Sequence, residues 1–183
     1  MKVELLNING LALVDSGIGE CYAKGAYFPD DGRAFERINK VCNVRKHSSM
    51  LEFLTFTWEI EASTKVLLEM SRHRHQSLAC RSSRYTLNKT DIVFEPTGDA
   101  EIDGILEEYK TKILRQIEVG KKNDVVSLML PQAYSYRFQT MFNARSLQNF
   151  LQLRLARGAH FQIREVAQAM LDTLPKEIQE LVV

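Results

Sequence analysis

Residues 72–85 read RHRHQSLACRSSRY and combine four arginines, Arg72, Arg74, Arg81 and Arg84, with two histidines. Cations this close together repel one another unless an anion lies among them. Arginine offers a planar fork that suits phosphate or carboxylate, and serine adds neutral hydrogen-bond donors. The stretch therefore predicts an anion site. The alternatives are an exposed basic loop without a ligand and a general nucleic-acid patch.

The composition narrows these alternatives. The chain has 183 residues, 45% hydrophobic and 26% charged, which predicts a single globular domain over residues 1–183. A net charge of +1 argues against a general nucleic-acid binder, whose surface is usually basic. Three cysteines without CxxC spacing predict free thiols in a reducing compartment. The N-terminus lacks the apolar core of a signal peptide, and no run is long enough to span a membrane. We expect a cytoplasmic protein without nucleic-acid or membrane partners and without a metal site.

Periodicity predicts the elements around the basic stretch. Strands are expected over 3–8, 53–61, 92–94 and 134–142. Helices are expected over 33–44, 62–71, 99–119, 144–155 and 161–174, with a last short helix after Pro175 and a turn at 30–32. Residues 11–27 are ambiguous. Strands and helices do not alternate regularly, so the predicted class is α/β of the α+β type, a mostly antiparallel sheet flanked by long helices.

Two further stretches carry polar residues in suggestive patterns. Residues 47–52 read HSSMLE and lie just before the predicted strand at Phe53. Here Ser49 and Glu52 fit a helix capping box, and His47 fits an ordinary exposed histidine. Residues 130–164 carry Arg137, Arg154 and Arg164 on a predicted strand and two helices. The simplest interpretation of that segment is amphipathic helices with arginines facing solvent.

The three stretches together resemble the flavin-dependent thymidylate synthases. The spacing of Arg72-His73-Arg74, seven residues, then Ser82 matches the signature of that family, and Arg84-Tyr85 continues the match. The segments from His47 and from Leu130 resemble the family's flavin-site segment and its C-terminal half, so the resemblance spans roughly residues 47–164. A cysteine-dependent thymidylate synthase is rejected, because Cys80 lacks the Pro-Cys-His context of that family.

The resemblance implies an activity. FAD is reduced by NADPH or a similar donor, a methylene group passes from 5,10-methylenetetrahydrofolate to C5 of dUMP, and reduced flavin completes the methyl group of dTMP. It also implies a homotetramer whose sites are shared between subunits. A related flavoenzyme acting on UMP or dCMP, and a non-catalytic flavin- or nucleotide-binding protein, are the alternative functions.

The resemblance also implies site residues. Arg164 is the expected catalytic group, acting on N3 of the uracil ring. The expected dUMP residues are Glu69, Arg72, Cys80, Arg81, Ser82, Ser83, Arg84, Arg137 and Arg164. The expected FAD residues are His47, Ser49, Arg72, His73, Arg74, His75, Cys80, Leu153, Arg154, Leu155, Ala159 and His160.

Four positions depart from the family pattern. Glu69 and Gln162 stand where the family usually has Gln and Glu, and Cys80 and Ser83 stand where many relatives have Glu and Gly. A carboxylate at position 69 would repel a nucleotide phosphate unless a cation neutralises it. We therefore expect Glu69 to pair with an arginine and to approach the nucleotide's sugar or base edge. The alternative is that Glu69 turns to solvent.

Overall fold

The fold is known from a computed structural model that describes residues 1–23 and 32–183. The predicted turn at 30–32 lies outside the described residues, apart from Gly32 with its positive φ of 70°. Within these two ranges no helix combines the length and apolarity needed to cross a membrane.

A four-stranded sheet has the spatial order β1-β2-β4-β3. Its strands are β1 (Lys2–Asn9), β2 (Thr55–Ser63), β3 (Gln76–Cys80) and β4 (Ser135–Asn143). The Thr64 N–H donates to the Tyr134 carbonyl at 2.8 Å, and the Ala144 N–H donates to the Leu54 carbonyl at 2.8 Å. The residue after each strand thus meets the residue before the other, so β2 and β4 run antiparallel, as predicted.

Helices make up most of the remaining structure. They are α1 (Leu11–Cys21), α2 (Ala34–Ile38), α3 (Thr64–Ser71), α4 (Ser83–Thr86), α5 (Ala100–Glu118), α6 (Asn123–Val126), α7 (Ala144–Arg154), α8 (Phe161–Asp172) and α9 (Lys176–Val182). The predicted long helices and the helix after Pro175 are confirmed. The helix predicted over 33–44 changes to a π-helical segment, Asn39–Val44, after Ile38.

One predicted strand is displaced, and another does not form. β2 begins at Thr55 because Ser48–Phe53 forms a 3-10 helix. Ile92-Val93-Phe94 forms no strand and contributes only an isolated antiparallel bridge between Phe94 and Tyr134. Pro96 follows two residues after Phe94 and has no N–H to extend the pairing.

The same construction joins strand to helix after β2 and after β4. Ser63 ends β2, and its hydroxyl accepts the N–H of Val66 at 3.3 Å. Asn143 ends β4, and its side-chain oxygen accepts the N–H of Ser146 at 2.8 Å. Each cap satisfies a backbone donor of the first helical turn and fixes where the helix begins. α3 therefore starts at Thr64, two residues after the predicted start.

The chain divides into two compact units. Unit 1 contains Met1–Lys2, Ile60–Arg72 and Ala79–Gln139, and unit 2 contains the described parts of Val3–Glu59, His73–Leu78 and Thr140–Val183. The single domain predicted over residues 1–183 stays a prediction. Unit 1 has a buried cluster of apolar side chains: Leu87, Ile92, Ile113, Val126 and Tyr134.

Aromatic side chains form the centre of unit 2. Phe56 and Trp58 project from the same face of β2 with ring centroids 5.7 Å apart. Trp58 meets Phe142 at 6.4 Å, and Phe142 meets Phe150 at 5.0 Å. All four rings are fully buried. This packing fixes the ends of β4 and α7, which carry the polar residues described next.

Candidate functional site

The basic stretch is not one continuous loop. Arg72 is the C-cap residue of α3, the next residues lead into β3, and Ser82 is the N-cap residue before α4. The sequence pattern did not predict β3, because QSLAC does not alternate between apolar and polar residues. An edge strand such as β3 is held mainly by its backbone hydrogen bonds. At this edge the Arg81 N–H approaches the Arg137 carbonyl at 3.5 Å.

A cavity of about 520 Å³ opens in unit 2 beside the start of this stretch. Its walls are polar, and the lining residues are Glu52, His73, His75, Asn143, Arg145, Ser146 and Asn149. The volume lies in the range of small-molecule and cofactor sites. Of the predicted flavin residues, the structure brings His73 and His75 to this cavity.

His73 is held firmly at the cavity wall. Its Nε2 lies 2.8 Å from the Ser146 hydroxyl. Phe142 and Phe150 contact the ring, with centroids 5.4 and 5.6 Å away. Burial lowers the pKa of His73, and the nearby charges of Arg154 and His75 lower it further. The ring is therefore neutral at physiological pH.

An ion pair borders the same cavity. Arg145 donates to Glu52 at 2.6 Å, and both side chains are about half exposed. The capping box proposed for Ser49 and Glu52 is wrong, because residues 48–53 are a 3-10 helix without a side-chain cap. The sequence interpretation did not assign Glu52, Asn143, Arg145, Ser146 or Asn149 to a site. The Asn-x-x-Ser spacing at the end of a predicted strand is the one signal that points to the start of α7.

His47 and Ser49 line a different cavity in unit 2. It measures about 200 Å³, and its other walls are Ile18, Cys21, Tyr22, Val41 and Met50. His47 itself is exposed. The structure therefore separates these two predicted flavin residues from the larger cavity that His73 and His75 line.

Five further predicted flavin residues lie at the connection between α7 and α8. Leu153 and Arg154 end α7, and Leu155 follows as its C-terminal cap. Ala159 precedes His160, which is the N-cap residue of α8. The His160 ring packs on the Phe161 ring, with the ring centroids 4.7 Å apart. The Nδ1 atom of His160 is buried and has no hydrogen-bond partner among the described residues. Such an atom is expected to meet a ligand or a water.

Arg164 lies in the first turn of α8. Its guanidinium donates to the main-chain carbonyl of Arg157 at 3.1 Å. The contact turns the side chain of Arg164 toward the α7–α8 connection, where five of the predicted flavin residues lie. Arg164 is therefore oriented by the backbone of this connection.

The predicted nucleotide residues other than Arg164 belong to unit 1. Arg84 forms an exposed ion pair with Asp124 at 2.9 Å and lies 5.6 Å from the Tyr85 ring. Arg137 projects from an exposed position of β4, and Ser82 and Ser83 begin α4. These side chains are accessible to a ligand.

Arg81 has a structural partner. It lies beside the hydroxyl of Tyr134, where its charge and hydrogen bond oppose the burial that raises the pKa of that phenol. Tyr134 is fully buried in the core of unit 1. Arg81 therefore lies near a core hydroxyl, a position that the predicted contact with dUMP did not include.

Glu69 is neutralised from within its own helix. Lys65 lies one turn earlier on α3, and its ammonium is 3.2 Å from the Glu69 carboxylate. The Glu69 side chain is only 17% exposed, so the alternative that it turns to solvent is wrong. The expected arginine partner and the contact with a nucleotide stay predictions.

Cys80 is exposed at the end of β3, with its sulfur 3.4 Å from the Arg81 carbonyl. Desolvation raises the pKa of the Cys80 thiol, and the charge of Arg81 only partly offsets this. The thiol is therefore protonated near neutral pH and is a poor nucleophile. This agrees with the rejection of a cysteine-dependent mechanism.

Comparison with known proteins identifies the family. Residues 19–178 match the family described as thymidylate synthase complementing protein. The flavin-dependent thymidylate synthase of Helicobacter pylori is 33% identical, over 99% of this chain and 97% of its own length. The chain belongs to the flavin-dependent thymidylate synthases.

Solved structures agree with this family assignment. A crystal structure of the Helicobacter pylori flavin-dependent thymidylate synthase ThyX complexed with FAD and dUMP matches with a TM-score of 0.91. It is 30% identical and covers 100% of this chain and 98% of its own. A UMP/dUMP methylase, PolB from Streptomyces cacaoi, shares the fold with a TM-score of 0.78 at 21% identity, covering 99% and 93% of the two chains.

Proposed function

We propose that this member of the flavin-dependent thymidylate synthase family converts dUMP to dTMP with FAD as its cofactor. The observation that carries the proposal is the relationship to the Helicobacter pylori enzyme, whose structure holds FAD and dUMP, along nearly the whole chain. As the methylene donor we propose 5,10-methylenetetrahydrofolate, and as the reductant NADPH; both rest on the family resemblance.

The chain's own residues fit a flavin dinucleotide. The cavity in unit 2 has histidine, asparagine and arginine side chains in its walls, which can meet the polar edges of a flavin or its ribityl chain. Arg74 is exposed next to this segment, and a diphosphate prefers such cations. The buried Nδ1 of His160 supplies a further polar atom in need of a partner. When bound, reduced FAD supplies the hydride that completes the methyl group.

Nucleotide binding is proposed for the exposed cations of unit 1. Arg72, Arg84 and Arg137 can hold the dianionic phosphate of dUMP, with the hydroxyls of Ser82 and Ser83 as neutral donors. Lys65 keeps the charge of Glu69 from opposing that phosphate. Cys80 and Arg81 stay in the proposed set as residues that flank these groups on the chain.

Arg164 is the proposed catalytic residue. A guanidinium fork that faces the N3–C=O edge of uracil stabilises negative charge on that edge. The ring then becomes more electron-rich, and C5 attacks an electrophile more readily. The hydrogen bond to the Arg157 carbonyl supports this role, because it orients the guanidinium without neutralising it.

A homotetramer with shared sites is part of the proposal. Large apolar side chains are exposed in unit 1, among them Leu128 at 86% and Ile105 at 59%. Contacts between subunits would remove such side chains from water. Light scattering that finds an active monomer would contradict the shared sites.

A reducing, cytoplasmic location is also proposed, and the three free cysteines support it.

The decisive experiment starts from the purified protein reconstituted with FAD and reduced anaerobically. Addition of dUMP and 5,10-methylenetetrahydrofolate is expected to yield dTMP, detected as a nucleotide one CH₂ heavier. UMP and dCMP are tested in parallel, because the alternative functions use these nucleotides. Failure to bind FAD, or no methylated product from dUMP, would reject the proposed function.

A further inference from the structure

The hydroxyl of Ser146 makes two hydrogen bonds, one as the donor and one as the acceptor. It donates its single proton to the His75 carbonyl at 2.5 Å, since a carbonyl oxygen can only accept. Its second contact is with Nε2 of His73 at 2.8 Å. The proton is already used, so the hydroxyl must accept in this second bond. Nε2 of His73 must therefore carry a hydrogen.

The surroundings leave the hydroxyl little freedom to rotate away from this arrangement. Ser146 is only 7% exposed, and its main-chain N–H is fixed by the Asn143 cap at 2.8 Å. The His73 ring is confined by Phe142 and Phe150. Both partners of the hydrogen bond are therefore fixed by packing.

We propose that Ser146 is a positioning residue that holds His73 as its neutral Nε2–H tautomer, so that Nδ1 is the acceptor which the ring offers to bound flavin. The matching ligand group is a donor, such as a ribityl hydroxyl or a ring N–H. The choice of ligand rests on the proposed function. The choice of tautomer rests only on the contacts within unit 2.

The charge environment disfavours the doubly protonated ring, which would also donate from Nε2. Burial lowers the pKa of His73, and the nearby Arg154 and His75 act in the same direction. The positive charge of Arg145 lines the same cavity, with Glu52 paired to it. A neutral ring with an unprotonated Nδ1 is the form that remains.

Nitrogen NMR of the ligand-free protein tests the tautomer directly. The protein is labelled with ¹⁵N-histidine, and the His73 signals are assigned by their loss in His73→Gln. In the wild type near neutral pH we expect His73 to show a protonated Nε2 and an unprotonated Nδ1. A protonated Nδ1, or a doubly protonated ring, would overturn the proposal without any need for the Ser146 variants.

Two Ser146 variants and one matched control follow. Ser146→Ala is expected to leave His73 as a mixture of tautomers, and Ser146→Thr, which keeps a hydroxyl, to restore the wild-type signature. The control is Thr173→Ala. Thr173 also accepts from a ring N–H, that of Trp58 at 2.9 Å, and also donates to a carbonyl, that of Met170 at 2.7 Å. The control removes an equivalent hydroxyl bridge but should leave the His73 tautomer unchanged.

Titration with FAD connects the tautomer to the ligand. Ser146→Ala is expected to weaken FAD binding about three- to tenfold, the size of one hydrogen bond, while Thr173→Ala leaves it unchanged. Equal weakening by both variants, or wild-type affinity in Ser146→Ala, would reject the positioning role. A wild type that shows the expected tautomer but binds no FAD would instead reject the proposed function.

Discussion

The guanidinium of Arg164 donates to the main-chain carbonyl of Arg157, 3.1 Å away and seven residues earlier in the chain. The acceptor belongs to the backbone, so it survives any change of the Arg157 side chain. The catalytic candidate is therefore oriented by the shape of the α7–α8 connection. The structure thus distinguishes Arg164, whose side chain donates this bond, from Arg157, whose main chain accepts it. The sequence alone does not show that difference.

Arg164→Ala is expected to reduce turnover about 10²–10³-fold, the usual effect of removing one donor that stabilises developing charge. Its effect on FAD affinity should be much smaller, because the guanidinium is proposed to act on the uracil ring. Arg164→Lys should recover little activity, since lysine lacks the planar fork. The measurements are single-turnover dTMP formation and FAD titration.

The control for this prediction is Arg157→Ala, which removes an exposed side chain and keeps the carbonyl that orients Arg164. It should retain near wild-type turnover. If Arg164→Ala methylates dUMP normally, Arg164 has no part in the mechanism.

Arg72→Ala is expected to weaken both FAD and dUMP, because one arginine is predicted to serve both ligands. A lost charge-assisted contact costs about 1.5–3 kcal/mol, or roughly 10- to 150-fold in affinity. Arg115→Ala on α5 is the matched control, since it removes an exposed arginine outside the predicted sites. Titration of each ligand separately decides the matter, and an effect on one ligand alone would contradict the shared role.

Lys65 and Glu69 give a charge-neutralisation prediction. Lys65→Gln should weaken dUMP binding about two- to fivefold, the scale of a partly exposed ion pair, because it leaves the Glu69 carboxylate uncompensated. Glu69→Gln should leave dUMP binding intact or slightly tighter. The double variant should return close to wild type.

Both nucleotides are titrated at one fixed salt concentration in this series. The ratio of dUMP to UMP affinity should change little in Glu69→Gln. A variant that loses dUMP and gains UMP would show instead that Glu69 recognises the sugar, and the natural substrate would then be reconsidered.

The three cysteines should differ sharply in reactivity. Cys42 is 1% exposed, and burial raises its pKa to about 11, so it should react with a thiol reagent only after unfolding. Cys21 is exposed and should react in the native protein, and Cys80, which is exposed but has a raised thiol pKa, should react more slowly. Peptide mapping after a short iodoacetamide pulse measures the extent of alkylation at each cysteine. Early labelling of Cys42 would show that its burial is not maintained in solution.

The ion pair between Arg37 and Asp15 should contribute more to the stability of the fold than the ion pair between Arg145 and Glu52. The shortest nitrogen–oxygen distance is 2.6 Å in both. Arg37 donates to both oxygens of Asp15, at 2.9 and 2.6 Å, and the Asp15 side chain is 10% exposed. Arg37→Met should lower the free energy of unfolding by about 2–4 kcal/mol, because it strands a buried carboxylate.

The comparison is Arg145→Met, which breaks the equally short but half-exposed pair with Glu52. Exposed pairs are worth below about 1 kcal/mol. Denaturant titration of both variants should give clearly different losses, and similar losses would contradict the assigned role of burial.

Much of the fold follows from local patterns. β4 alternates exposed and buried side chains from Arg137 to Phe142, so its two-residue period was visible in the sequence. α5 begins at a capping aspartate, Asp99, and ends before Gly120, which has positive φ. Such signals depend only on neighbours along the chain.

Other elements had no such signal. α1 contains Gly17 and Gly19, which disfavour a helix, and it forms because Val14 and Ile18 are buried against the rest of unit 2. β3 buries almost none of its side chains and exists because its backbone pairs at the sheet edge beside β4. Both elements depend on partners that are remote in sequence.

The family and the candidate ligand residues could be predicted from the spacing of arginine, histidine and serine along the chain, and the fold class from the order of strands and helices. Which candidate residues share a cavity became visible in the folded structure alone. His73 and His75 line one cavity with Glu52 and Arg145. Arg81 lies near the hydroxyl of Tyr134, and Glu69 forms an ion pair with Lys65. Hydrogen bonds and ion pairs act over a few ångströms, so their partners are fixed only when packing brings distant segments of the chain together.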